Sequence, residues 1–169
     1  SVEEASPEKI TNNIKSYALI LKKPFGINRA ISTAGGVTFN SIDKKYNTLI
    51  VLVSIVIPVH NKFHLTLQCL RALQLNTDST PFEVIVINDA SSDWTKSALA
   101  NIRGVRVIDV QENLGYLRAT NLGISASRGK FVALLNNDTI PISGWLDRLV
   151  AELEKDSKIG IAGAKLLYP

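Results

Sequence analysis

The sequence predicts an α/β fold in which an open parallel sheet is flanked by helices. From residue 51 onward, short runs of β-branched and other apolar residues alternate with longer amphipathic segments, which is the pattern of consecutive β-α-β units. The short runs are almost continuously apolar, as strands buried on both faces must be. With 46% hydrophobic and 20% charged residues, the 169-residue chain has enough apolar material for one core.

Five apolar runs are predicted to form the strands of this sheet. They lie at residues 51–57, 83–87, 105–109, 131–135 and 159–164. The segments between them predict four helices, at residues 63–75, 94–102, 116–127 and 144–155. Gly129 is expected to end the third helix, and Ser143 is expected to cap the fourth at its N-terminus.

The first 48 residues have a different character, and we expect them to lie outside the α/β core of residues 49–169. A helix is predicted to start at Ser6-Pro7, and the turn-rich stretch after it shows no strand that would pair with the sheet. Residues 22–43 weakly resemble a segment near the C-terminal end of FAD-dependent flavoproteins, although their Gly-Gly pair is also typical of an ordinary turn. They lack a dinucleotide-binding fingerprint, so even a real relationship would imply only a joined fragment that cannot bind FAD.

The composition of the chain indicates which partners and which cellular compartment to expect. The longest apolar stretch has eleven residues, 49–59, and contains Ser54 and Pro58, whereas a membrane helix needs about 20. The 19 Lys and Arg residues are scattered, so we expect no nucleic-acid partner despite the net charge of +4. A single cysteine, Cys69, falls in a helical apolar pattern and indicates a core residue in a reducing compartment. We expect a cytoplasmic protein and leave peripheral docking at the inner face of a membrane open.

Polar residues follow four successive predicted strands. The first strand runs into Pro58, His60 and Asn61, and the second runs into Asn88-Asp89. The third is followed by a loop that ends at Gly115, and the fourth by Asn136-Asn137-Asp138. Because the carboxyl ends of parallel strands meet at one edge of a sheet, these groups predict a polar crevice for a ligand with many hydrogen-bonding groups.

Each of these residues also has a simpler interpretation. Asp89, Ser92 or Asp93 could merely cap the short helix that starts near residue 94. Asn136 to Asp138 could form an Asx turn, and His60 could be a loop histidine without a role. Only the expected convergence of Asp89 with Asp138 favours a binding site.

Five short motifs carry a family resemblance. They are SIVIPVHN at 54–61, VIVINDASSD at 84–93, NLGYLRATN at 113–121, LLNNDT at 134–139 and GWLD at 144–147. In this order and spacing they closely resemble family-2 glycosyltransferases of the GT-A fold, which has a Rossmann-like sheet, and the resemblance spans residues 51–169. The Asn-Asn-Asp sequence followed by Gly-Trp-Leu is most similar to the branch that makes rhamnan and other bacterial surface polysaccharides.

The resemblance implies an inverting transfer of a sugar from a UDP-, dTDP- or GDP-sugar to a hydroxyl of a glycan or lipid-linked acceptor. Surface-polysaccharide or cell-wall synthesis is the implied setting. The matching positions imply that Pro58, His60 and Asn61 hold the base and ribose and that Asp89 contacts the base. Gly115 would bring the backbone close to the nucleotide.

The fourth motif implies the metal site of the family. Asp138 would ligate Mn²⁺ or Mg²⁺ bridging the diphosphate, and Asn137 would reach the ribose. A carboxylate about 4 Å from a phosphate oxygen is repelled by about 1 to 4 kcal/mol at effective dielectric constants of 80 to 20, so a cation between them is required. Hard oxygen ligands suit both metals. Asn136 stands where the family more often has Asp, which leaves one carboxylate in the motif.

The catalytic base is not assigned in this sequence. The family takes it from a downstream Asp or Glu, and the chain stops at Pro169 directly after an apolar run and contains no Met, so we expect an inactive donor-binding fragment with the base beyond Pro169. The competing hypothesis is a non-catalytic nucleotide-binding or scaffold module. A dinucleotide-binding oxidoreductase is disfavoured because no Gly-x-Gly-x-x-Gly follows the first strand.

Overall fold

The computed structural model describes residues 51–76 and 79–167 in full, together with the backbone of three short segments before them. These segments are the strands β1 (Arg29–Ser32), β2 (Ile42–Asp43) and β3 (Thr48–Leu49). The predictions made for residues 1–28 and 33–41 lie outside the described residues.

The main part of the chain alternates strands and helices as predicted. The strands are β4 (Val53–Val59), β5 (Phe82–Asp89), β6 (Arg106–Val110), β7 (Phe131–Leu134) and β8 (Ile161–Gly163). The helices between them are α1 (Phe63–Leu75), α2 (Thr95–Leu99), α3 (Gly115–Ala126) and α4 (Trp145–Lys155). In the part of the chain that the structure describes, none of these helices combines the length and apolar character that crossing a membrane requires.

One six-stranded sheet, in the order β6-β5-β4-β7-β1-β8, organises these elements. Each of its strand pairs is parallel, which confirms the predicted α/β class. Strand β4 is central and fully buried, and it pairs with β5 from Val53–Phe82 to Val59–Asn88. On its other side, β4 pairs with β7 only as far as Val56. Pro58 lies beyond that second ladder, which explains how β4 runs two residues past its predicted end through a proline.

Strand β1 departs from the prediction that residues 1–48 lie outside the core. Its backbone pairs with β7 through Ile31–Ala133 and with β8 through Ile31–Ala162. The connection from β7 through α4 to β8 leaves one strand position open between them, and the β1 backbone fills it, giving partners to the hydrogen-bonding groups of both neighbours. For the rest of residues 1–48 the boundary stays a prediction.

Two predicted helix caps are wrong. Helix α4 begins after Gly144, whose φ is 77°, and not after a capping Ser143 side chain. Helix α3 ends as Ser127 turns extended, so Gly129 does not serve as its C-terminal cap. A Cβ atom at Gly129 would lie 2.7 Å from the backbone nitrogen of Ser54. The glycine is therefore needed because the chain entering β7 passes directly against β4.

Candidate functional site

The carboxyl ends of β4, β5, β6 and β7 carry four loops that form the candidate site. Their positions follow from the parallel sheet, which delivers the ends of all four strands to one edge. The first loop contains His60, Asn61 and Lys62, and the second runs from Asp89 to Asp93. The predicted site residue Pro58 lies within β4, is buried and pairs with Ile87, so the exposed part of the first loop starts at His60.

The first two loops are joined by Asn61. Its side-chain oxygen accepts the backbone N–H groups of Ser92 at 2.7 Å and Asp93 at 3.2 Å. Its own backbone N–H donates to Ser91 Oγ at 2.8 Å. The backbone N–H of Lys62 adds a bond to Asp93 Oδ2 at 2.8 Å. The Asn61 side chain thus holds the two loops together. Its predicted contact with a ligand stays a prediction, and it would come in addition to these hydrogen bonds.

His60 is exposed on the same loop, and its Nδ1 atom has two polar neighbours. Nδ1 lies 2.6 Å from the backbone carbonyl oxygen of Asp89 and 3.2 Å from the side-chain Nδ2 of Asn113. A carbonyl oxygen can only accept and an amide nitrogen can only donate, so the two contacts require opposite roles of Nδ1. We assign the ring hydrogen to Nδ1 from the shorter contact. In that tautomer, Nε2 is the hydrogen-bond acceptor that remains for a ligand.

Asp89 is 4% exposed and binds the start of α3. Its Oδ1 accepts the backbone N–H of Leu114 at 2.7 Å, and its Oδ2 accepts that of Gly115 at 3.0 Å. These N–H groups belong to the helix start, where no carbonyl of the helix itself can satisfy them and where the helix dipole favours a carboxylate. The alternative that Asp89 caps the helix near residue 94 is wrong, and the predicted contact of Asp89 with a nucleotide base stays a prediction.

The capping role belongs to Asp93. Its Oδ1 accepts the backbone N–H of Thr95 at 2.9 Å, at the start of α2. Asp93 therefore links the first loop to α2, and the simpler interpretation of this residue is confirmed. The sequence motif joined Asp89 and Asp93, whereas the structure assigns them to two different helices.

The loop after β7 is a tight turn around Asn137 and Asp138. Both the backbone N–H and the hydroxyl of Thr139 donate to the carbonyl oxygen of Asn136, at 3.3 and 2.7 Å. The side-chain amide of Asn137 points to the protein interior, where Nδ2 donates to Thr66 Oγ1 at 3.0 Å. Asp138 is exposed, and within residues 51–76 and 79–167 no hydrogen bond or ion pair reaches its carboxylate. The turn thus separates an inward amide from an outward carboxylate.

Cys69 lies beneath this turn and is fully buried, as the sequence pattern predicted. Its Sγ atom lies 3.8 Å from the carbonyl oxygen of Asn136. Burial raises the pKa of the Cys69 thiol to about 12, an effect that the negative charge of Asp138 adds to and a hydrogen bond with Thr139 opposes. The thiol is therefore protonated at neutral pH and acts as a packing group, not as a nucleophile.

The side chains at this edge of the sheet could bind a cation only together with oxygen atoms of a bound ligand. Among the described residues, no cluster of three or more His, Cys, Asp or Glu side chains could hold a metal ion. Asp138 supplies one exposed carboxylate without a compensating positive partner there. One carboxylate combined with phosphate oxygens and water is a common binding mode for Mg²⁺, so the residues present fit a cation shared with a phosphorylated ligand.

The sequence analysis did not identify two residues, Thr66 and Asp147, whose hydrogen bonds hold neighbouring segments in place. Thr66 is fully buried on the apolar face of α1, three residues after Phe63, and a polar residue at such a position could have signalled a buried hydrogen bond. Asp147 belongs to the GWLD motif, whose sequence gives no indication of its partners. It accepts hydrogen bonds from the backbone N–H and hydroxyl groups of both Ser79 and Thr80, which ties α4 to the segment before β5.

Comparison with known proteins gives a consistent picture. Residues 54–168 match the sequence model of glycosyl transferase family 2. An uncharacterised glycosyltransferase of Haemophilus influenzae is 30% identical over 119 residues, covering 68% of this chain and 36% of that protein. Glycosyltransferase AglE of Haloferax volcanii is 31% identical over 106 residues, covering 60% and 35%. The chain thus spans about a third of the length of these two relatives.

Solved structures agree on the fold. Staphylococcus aureus TarS 1-349 superposes with a TM-score of 0.55 at 22% identity, covering 62% of this chain and 33% of that one. The same protein in complex with UDP-GlcNAc also gives 0.55 at 22% identity, with coverages of 62% and 32%. This likeness shows a shared GT-A-type fold. The family match begins at residue 54 and gives no support to the flavoprotein resemblance of residues 22–43.

Proposed function

Since the chain belongs to glycosyl transferase family 2, we propose that it binds a nucleotide-diphosphate sugar at the carboxyl edge of its sheet and contributes to transfer of that sugar to an acceptor hydroxyl. The observation that carries the proposal is the arrangement of the four strand-end loops. They bring the acceptor nitrogen of His60, the backbone at Gly115 and the exposed carboxylate of Asp138 to one edge, which a compact, highly polar ligand can span.

The nucleoside is proposed to lie against the first two loops. His60 presents Nε2 there, and Asn61 and Asp89 hold the surrounding backbone through five hydrogen bonds given above. A UDP-sugar is the favoured donor because the TarS structure of the same fold binds UDP-GlcNAc. dTDP- and GDP-sugars are the alternatives that a binding experiment must separate.

The diphosphate is proposed to lie beside Asp138 and Gly115. A divalent cation, Mn²⁺ or Mg²⁺, bound between Asp138 and the phosphates would stabilise the negative charge that develops on the leaving nucleoside diphosphate. Without a cation, the exposed carboxylate would repel the ligand by about 1 to 4 kcal/mol. Asn137 lies next to Asp138, but its side-chain amide is turned inward to Thr66, so the ribose contact expected from its motif is not part of the proposal.

The proposed reaction is an inverting displacement at the anomeric carbon. An acceptor hydroxyl loses its proton to a base and attacks, and the nucleoside diphosphate leaves from the opposite face. The residues described above bind and orient the donor, and we assign no base among them. Cys69 is buried and protonated, which disqualifies it. The proposed acceptor is a glycan or a lipid-linked molecule. The proposed role is surface-polysaccharide or cell-wall synthesis at the cytoplasmic face of a membrane.

Calorimetry tests the donor site. UDP, dTDP and GDP are titrated into the chain with and without Mn²⁺, and we expect one of them to bind more tightly with the metal. Asp138→Ala should remove this metal dependence, whereas Asp156→Ala, which removes another exposed carboxylate at the end of α4, should keep it. Equal affinities for wild type and Asp138→Ala under both conditions would exclude the metal assignment. If nucleotide is bound but no sugar is transferred to any acceptor, also in a chain extended past Pro169, a non-catalytic binding or scaffold module is favoured.

A further inference from the structure

The turn that carries Asp138 rests on two buried residues of α1. Thr66 and Cys69 are both 0% exposed and lie one helical turn apart on the face that packs under the turn. Thr66 Oγ1 accepts the side-chain amide of Asn137 at 3.0 Å, and Cys69 Sγ lies 3.8 Å from the carbonyl oxygen of Asn136. Two consecutive residues of the turn are therefore held by α1. The Asn137–Thr66 pair is 71 residues apart in the sequence, and the Asn136–Cys69 pair is 67 residues apart.

This support determines which way the turn faces. The bonds from Thr139 to the carbonyl of Asn136 close the turn and restrict the backbone of the two residues between them. With Asn137 held inward by Thr66, the next side chain, Asp138, is directed outward and is exposed. Without the bond, the Asn137 amide would lose its buried partner, and an inward amide would no longer be favoured over an outward one.

We infer that Thr66 is a positioning residue that acts through Asn137 to hold the carboxylate of Asp138 toward the diphosphate and its cation. The inference rests on the function proposed above and deepens it. Thr66 has no exposed surface, so it contributes through the turn and not by touching a ligand. Groups that orient metal ligands through hydrogen bonds typically influence metal affinity strongly. Of the two supports, Thr66 makes the stronger bond, because a thiol is a weak donor.

Three threonine variants test this role. Thr66→Val keeps the shape of the side chain and removes the hydroxyl, while Thr66→Ser keeps the hydroxyl. Thr95→Val is the matched control, because Thr95 is also 0% exposed in a helix and its side chain faces Asp93, not the turn that carries Asp138. Asn137→Ala breaks the same bond from the turn without changing the helix, which keeps the test valid if Thr66→Val fails to fold.

Two readouts separate positioning from general stability. The first is the ratio of the UDP dissociation constants without and with Mn²⁺, measured by calorimetry on folded protein. Thr66→Val and Asn137→Ala should lower this ratio about three- to tenfold, the effect of one net hydrogen bond, while Thr66→Ser and Thr95→Val leave it near the wild-type value. The second readout is hydrogen exchange of the Asn137 side-chain amide by NMR, which should be slow in wild type and Thr66→Ser and fast in Thr66→Val.

The outcomes are distinguishable. An unchanged ratio and unchanged Asn137 exchange in Thr66→Val would overturn the inference, and so would an equal loss in Thr95→Val. Wild-type protein that binds UDP without any metal dependence would contradict the proposed function. In that case the hydrogen exchange of the Asn137 side-chain amide still decides whether Thr66 holds the turn. Fast exchange in the wild-type protein would show that Thr66 does not hold it.

Discussion

The carboxylate of Asp89 holds the backbone of Gly115. Asp89 Oδ2 lies 3.0 Å from the Gly115 nitrogen, and Oδ1 lies 2.7 Å from that of Leu114. The end of β5 is thereby bound to the first turn of α3, across 26 residues of sequence. Gly115 has a φ of 74°, a conformation that favours glycine, so the loop can present its backbone to this carboxylate at little conformational cost.

Replacing Asp89 is expected to destabilise the protein. Asp89→Asn removes the charge and places an amide nitrogen against one of these two N–H groups, so that one hydrogen bond to a charged acceptor is lost at a cost of about 1–3 kcal/mol. Urea unfolding measures this loss. Asp138→Asn is the control, since its carboxylate is exposed and has no hydrogen bond or ion pair among the described residues, and it should change stability by less than about 0.5 kcal/mol. Equal stability of the two variants would show that the bonds of Asp89 to α3 contribute little.

A second prediction concerns Ser54, at the opposite end of the strands from the candidate site. The fully buried Ser54 hydroxyl donates to Glu83 Oε1 at 2.7 Å and accepts the backbone N–H of Gly129 at 2.9 Å. Ser54→Ala should therefore lower the free energy of unfolding by about 1–3 kcal/mol. The exposed Ser97→Ala, which loses a bond to the Trp94 carbonyl, should cost less. Because this end of the sheet is remote from the proposed donor site, folded Ser54→Ala should bind nucleotide like wild type. Weaker binding at equal folded fraction would contradict that separation.

The third prediction is a pH dependence that arises from Asp147. Partial burial alone would raise the pKa of Asp147, but the hydrogen bonds from Thr80 and Ser79 outweigh it and lower the pKa below its ordinary value. A carboxyl with a lowered pKa in the folded state stabilises the protein above its unfolded-state pKa, about 3.9, and this contribution is lost as the pH falls through the lower folded-state value.

Asp147→Asn should therefore reduce stability by about 1 kcal/mol at neutral pH, a modest value because the group is partly exposed to solvent. The gap between wild type and variant should shrink as the pH is lowered below about 4. Thermal unfolding at a series of pH values measures it. Thr80→Val, which keeps the carboxylate and removes one of its donors, should weaken the pH dependence. A gap that stays constant from pH 7 to 3 would contradict the role assigned to these hydrogen bonds.

The sequence predicted the fold and the edge of the sheet on which the site lies. Both follow from local patterns: apolar runs such as the one in β4 identify buried strands, and strand direction then places His60 and Asp138 at the same edge. Helix α1 was predicted with its observed bounds, since its apolar face repeats at helical spacing.

The contacts inside the site could not be predicted in this way. That Asp89 binds the start of α3 depends on how far β5 and α3 extend relative to each other, which no local pattern encodes. That Asn137 points inward depends on Thr66, 71 residues away. The place of β1 in the sheet was missed because four residues within a turn-rich stretch give no periodic signal, and their pairing depends on an open position between β7 and β8.

Backbone NMR of the ¹⁵N-labelled chain, titrated with UDP and Mg²⁺, tests most directly whether the carboxyl edge of the sheet holds the donor nucleotide. The largest changes in amide chemical shift should fall in the strand-end loops, at His60, Asn61, Gly115, Asn137 and Asp138. Amides at the opposite end of the strands, at Ser54 and Gly129, should change little. Changes concentrated around Ser54 and Gly129, or no saturable change up to millimolar UDP, dTDP and GDP, would contradict the proposed donor site.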